Sequence, residues 1–250
     1  TRMPRPPPPP EALMIIGSGV NAYDAGEMWH HMDQRLELSL SKVEMDRFAN
    51  IDLSRYNTII MPDGNYRRLS DASVEKIKRW VQSGGNLLAF KRAISSLQSK
   101  KIISIETVAR AATAFDDKSY GDRKEESAKH VIGGAIFHTN IDNSYPLFYG
   151  YRDQDLPVFK RGTLAIKADI SSLAFPMKYT SSPLASGYAS KENIDRIAGT
   201  AGLFVEGYGS GSIVCSVDNP VFRGYWIGGN KLFDNMLYFS SSISRTGTKE

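Results

Sequence analysis

A chain of 250 residues is long enough for one large α/β domain or two small ones, each with a sizeable core. Its 31 basic and 27 acidic residues leave a net charge of +4, spread along the chain and too diffuse to argue for nucleic acid. No apolar stretch nears the roughly 20 residues that span a bilayer, the first residues lack a signal-peptide plan, and a lone cysteine, Cys215, excludes an internal disulfide or a cysteine-based zinc cluster. The expectation is a soluble globular protein with no membrane span.

Residues 1–11 carry the tract Pro4 to Pro10, which reads as a stiff polyproline II linker and suggests a piece of something longer. Ala12 to Gly19 predicts a buried strand closed by glycines, and Ala22 to Arg35 a helix with Met28, Trp29 and Met32 at helical spacing. Leu36 to Val43 alternates like a strand, and Tyr56 to Pro62 is a fully apolar one. Ser70 caps the next helix, whose Ile77, Trp80 and Val81 face ends at Gly84 and Gly85. Asn86 to Phe90 is again a strand, with a helix beginning near Ala93. Strands alternating with helices imply a parallel sheet covered on both faces.

Residues from about 106 to 190 read as an insertion. It is charged and helical or irregular to Lys129 and strand-like over His130 to Phe137. From Asn140 to Tyr188 it is rich in Pro, Gly, Ser and Tyr, as in loops and short strands forming one elaborated face. Thr200 to Val217 predicts two strands joined by a glycine-rich turn, and the stretch from Gly228 a closing helix capped by Asn230. The economical reading is one doubly wound α/β domain over 12–245, with a tail at 246–250.

Several residues carry candidate chemistry. Gly17-Ser18-Gly19 sits where a phosphate-cradling turn would, but the third glycine of that fingerprint is absent and a plain tight turn explains it. Asp24, Glu27 and His31 stand at i, i+3 and i+7, so one helix face could present two carboxylates and an imidazole to a metal, but helix capping and surface hydrogen bonding are the plainer reading and no metal is expected. Cys215 lies mid-strand in phase with Ile213 and Val217, the pattern of a buried inert thiol. Lys91 and Arg92 follow a central strand, as anion ligands at the sheet's switch point or as solvated loop charges. Asp218, Asn219 and Pro220 form a turn after a late strand, with Arg223 and aromatics following.

The stretches "GVNAYDAGEMWHHMDQRLELSLSKVE", "DLSRYNTIIMPDGNYRRLSD", "WVQSGGNLLAF", "YPLFYGYRDQDLPVF" and "DNPVFRGYWIGGNKLFDNMLYF" together resemble the C-terminal domain of bacterial zinc carboxypeptidases of the carboxypeptidase A type. That domain is similar in fold to class I glutamine amidotransferases. The resemblance implies a flavodoxin-like, mostly parallel sheet and a parent exported to the periplasm or outside. It also implies a peptidase domain of the same parent chain as partner. Zinc would belong to that peptidase domain, because this chain has no His-x-x-Glu, and no cofactor is expected here.

The amidotransferase comparison also assigns positions. Those enzymes need a cysteine at a sharp turn between strand and helix, and a histidine with a glutamate after a late strand. Here the first position reads "FKRA", with Lys91 and Arg92, and the second reads "VDNP". The expectation is therefore a non-catalytic accessory domain for structural support or for peptide or partner recognition, with no catalytic residue. Its candidate surface joins Asp24, Glu27, Lys91, Arg92, Asp218, Asn219 and Arg223 near the carboxyl ends of the strands. The alternative is a small hydrolase or ligand-binding enzyme in the same crevice, with Glu27 or Asp218 as base.

Overall fold

The computed structural model describes residues 9–109, 119–169 and 172–243. Most of the proline tract and all of the 246–250 tail lie outside the described residues. The strands β1 (Ala12–Ile16), β2 (Leu40–Glu44), β3 (Thr58–Met61), β4 (Asn86–Phe90), β5 (Ala135–Ile141), β6 (Asp155–Lys160), β7 (Met177–Gly187), β8 (Ala201–Tyr208) and β9 (Gly211–Ser216) form one sheet in the order β2-β1-β3-β4-β9-β8-β7-β5-β6.

The pairings from β2 to β9 are parallel and those from β9 to β6 antiparallel. Counted alone, the parallel strands run 2-1-3-4-5, the flavodoxin-like order. The described residues thus form a flavodoxin-like α/β fold with an antiparallel extension.

Alternate strand residues divide two cores. Met14, Ile60, Leu88 and Val214 face helices α1 (Ala22–Arg35) and α6 (Ile227–Phe239), which contribute Met28, Met32, Phe233 and Met236. Leu13, Ile59, Leu87 and Ile213 face α2 (Asp71–Gln82) and α3 (Arg92–Ser99), with Ile77, Val81, Ile94 and Leu97. A strand buried on both faces must be apolar throughout, which is why these segments read as unbroken runs. Ser70 caps α2 by accepting from the Ser73 amide at 3.2 Å.

Three expectations change. The region expected as loops and short strands contributes β6 and the 11-residue β7 to the same sheet, and the strand expected over His130 to Phe137 begins at Ala135 as β5. The closing helix begins at Ile227, behind Trp226, so Asn230 lies inside it rather than capping it. Helix α5 (Lys191–Ile197), after α4 (Tyr120–Lys129), is short and had no apolar run to announce it; Ser190 caps it by accepting from Asn193.

Candidate functional site: a charged crevice at the strand carboxyl ends

The doubly wound order brings the carboxyl ends of β1, β3, β4 and β9 to one rim. The turn after β1 is a packing device. Gly19 has φ +96°, and a Cβ there would lie 2.6 Å from the Asn65 carbonyl oxygen, so glycine is needed where this loop crosses the 63–65 loop. That contact accounts for Gly19, and a φ of +99° accounts for Gly17, with no phosphate needed for either.

At the end of β4 the backbone turns sharply into α3. Lys91 has φ 53° and ψ −119°, a strained conformation for a residue with a side chain and the one associated with a nucleophile elbow. Its amide is held by the Ser216 carbonyl of β9 at 2.9 Å. Its ammonium turns into the crevice, 3.1 Å from Asp24 Oδ1 and 3.5 Å from Asp63 Oδ2, and both carboxylates are buried. Neither sequence reading of Lys91 anticipated this: the side chain is an internal ion pair, 12% exposed, rather than a solvated loop charge.

Arg92 is anchored differently. Its backbone N, Nε and Nη2 donate to Asp63 at 3.2, 2.8 and 3.1 Å, while the side chain remains 63% exposed. Asn21 Nδ2 adds a further donor to Asp63 at 3.3 Å. Burial by itself would raise the Asp63 pKa, but the Arg92 hydrogen bonds and the charges of Lys91 and Arg92 outweigh it and hold the carboxyl below the usual range.

On the opposite wall, Asn219 Nδ2 donates to Asp24 Oδ1 at 3.2 Å and to Glu27 Oε2 at 2.6 Å. Its Oδ1 accepts the Val221 amide at 3.1 Å, so the whole amide is engaged. Glu27 also accepts the backbone N–H of Arg223, whose own φ is 50°. Burial, then the neighbouring Asp24 charge, pushes the Glu27 carboxyl up despite that bond. The Arg223 guanidinium lies 5.3 Å from the Phe222 ring.

Asp218 and His31 part from the groups that sequence spacing assigned them to. Asp218 turns away from the crevice, buried, with Oδ1 3.4 Å from the Lys160 ammonium and Oδ2 accepting from the Tyr179 hydroxyl. His31 Nε2 lies 2.7 Å from Asp234 Oδ1 on α6, so it does not join Asp24 and Glu27, which are bound to Lys91 and Asn219. Among the described residues no group of three or more His, Cys, Asp or Glu side chains is disposed to hold a metal ion. Cys215 is wholly buried in β9, its thiol pushed well up by burial and then by the Glu206 charge.

Three contributors escaped the sequence reading. Asp63 carried a signal, an acid in a Pro-Asp-Gly turn at the end of an apolar strand. Lys160 lies in phase with buried Leu156 and Val158 on β6, a pattern that places its ammonium inside. Tyr179 lay among residues expected to be loops and short strands and showed no comparable signal.

No protein-family model matches the sequence, and no curated protein matches it. Solved structures do match. A protein described as ThuA-like from Parabacteroides merdae is 16% identical, covering 94% of this chain and 91% of that one, with a TM-score of 0.57. Another from Bacteroides uniformis is 9% identical, covering 99% and 98%, with a TM-score of 0.56. A glutamine amidotransferase from Thermotoga maritima aligns more loosely, 10% identical over 90% and 97%, with a TM-score of 0.49. At these identities the likeness is one of fold, and none of the three is a carboxypeptidase. No helix among the described residues is long and apolar enough to cross a membrane.

Proposed function

We propose that this chain is a non-catalytic, amidotransferase-like accessory domain whose crevice serves peptide or partner recognition. The observation that carries the reading is the elbow itself. Acyl transfer there needs a thiolate presented to substrate and a base beside it. Instead the elbow holds Lys91, whose ammonium is shared between Asp24 and Asp63, and the lone thiol is sealed in β9. The cavity behind the Asp218–Asn219 turn measures about 10 Å³, space for about one water molecule.

The parent in this reading is an exported zinc carboxypeptidase-like protein, with the peptidase domain as partner. Its support is the ordered set of sequence stretches quoted above. Finding a His-x-x-Glu and a later His encoded upstream of Thr1 would support it; an upstream frame of another kind would remove it.

A second reading, a hydrolase with Glu27 as base, has one observation in its favour. The Glu27 carboxyl is raised by burial and by Asp24, the direction a base working near neutrality requires. Assays of the purified chain on glutamine, ester and amide substrates separate the two. We expect no turnover; turnover abolished by Glu27→Gln would overturn the recognition reading.

A further inference from the structure

Lys160 is the one lysine among the fully buried side chains of the described residues, and it sits on the edge strand β6, four strands from β9. Its ammonium donates to the Tyr179 hydroxyl at 2.9 Å and approaches the Leu164 carbonyl and Asp218 Oδ1, each at 3.4 Å. Tyr179, from β7, donates to the other Asp218 oxygen. The Asp218 carbonyl in turn accepts from Ser216 Oγ at 2.7 Å. Both ends of this residue are therefore fastened before the chain reaches Asn219.

A buried ion pair is a poor source of stability, because desolvating two charges offsets most of their attraction. What such a pair supplies is a unique arrangement, since other placements leave a charge buried alone. Here the fastened residue is followed directly by the one whose amide bridges Asp24 and Glu27.

We infer that Lys160 and Tyr179 are positioning residues for the crevice, acting through Asp218 to hold Asn219 against Glu27. The antiparallel extension is then a working part of the site, although none of its strands reaches the elbow. This rests on the crevice being the functional face, but it needs no ligand and no choice between recognition and catalysis.

The test is the titration of the Glu27 carboxyl, followed by carbon NMR in the intact chain. Glu27 is faced by Asp24 on its own helix, Lys91 from the elbow, and Arg223 and Asn219 from the β9–α6 connection. Lys160→Met leaves Asp218 without its cation and frees the turn. Losing the Asn219 donor should move the Glu27 titration up by about one pH unit, the worth of one charge-assisted hydrogen bond. Tyr179→Phe, which deletes one hydroxyl, should move it less and in the same direction. Ile77→Ala, a cavity in the other core under α2, should lower the melting temperature and leave Glu27 where it was.

If Lys160→Met and Tyr179→Phe lower the melting temperature while Glu27 titrates as in the wild type, the network is merely structural and the inference fails. Should Lys160→Met not fold, Tyr179→Phe decides alone. Catalytic turnover by the wild type would overturn the recognition reading and leave this coupling standing, so the two failures are distinguishable.

Discussion

The two halves of the sheet solve the same problem with different chemistry. In the parallel half, charges collect at one rim, where Lys91, Asp24, Asp63 and Arg92 neutralise one another with part of the cluster in reach of water. In the antiparallel extension a single lysine is driven wholly inside and met by one carboxylate and one phenol. Burial of the pair pushes the Lys160 ammonium down and the Tyr179 hydroxyl well up, each chiefly through desolvation. At the rim Arg92 remains 63% exposed to solvent, while both members of the interior pair are buried.

That contrast can be broken by mutation. Lys160→Ala, which strands Asp218 in the interior, is expected to cost about 3–5 kcal/mol in denaturant unfolding. Lys91→Ala should cost less, about 1–3 kcal/mol, because Arg92 stays on Asp63 and Asn219 stays on Asp24. Equal losses would mean that the two clusters are equally desolvated.

Helix caps sharpen the comparison at the next level. Ser70 caps α2 through one backbone amide, and Ser70→Ala should cost about 1 kcal/mol by thermal unfolding. Ser190 caps α5 and also donates to the Lys129 carbonyl at 2.7 Å, tying that helix to α4. Ser190→Ala should therefore cost more, up to about 2 kcal/mol.

The smallest effects are the pH-linked ones. The depressed Asp63 carboxyl contributes stability that is present above its unfolded pKa and lost as pH falls through the lower folded value. The raised Glu27 carboxyl works the other way, with stability falling as pH rises from its unfolded value through the folded one. Glu27→Gln should thus be slightly stabilising at neutral pH and level with the wild type below the ordinary glutamate range. A destabilising change at neutral pH would show that Asn219 and Arg223 reward the charge more than burial penalises it.

Much of the parallel half was legible because its physics is local. Strands buried on both faces are apolar throughout, Ser70 and Gly84 bracket α2 with cap chemistry, and α1 spans the predicted Ala22 to Arg35. In the extension β8 was legible too, but β7 was not, because it carries Ser181, Ser182, Pro183 and Gly187 and its register with β5 slips twice. Such a strand is held by its neighbours rather than by its own pattern.

The same division runs through the site. Asp24, Glu27, Lys91, Arg92, Asn219 and Arg223 could be named from the sequence because residues after parallel strands, or at the start of a following helix, must gather at one rim. Sequence also determined that the elbow holds an amine where a thiolate would be needed. Only the tertiary structure decided where each charge goes. Asp63 rather than an external anion binds Arg92, Asp218 faces Lys160 rather than the crevice, and His31 faces Asp234. Charges in a low-dielectric interior take the partner that satisfies them, and which partner is within a few ångströms depends on strands far apart in the chain.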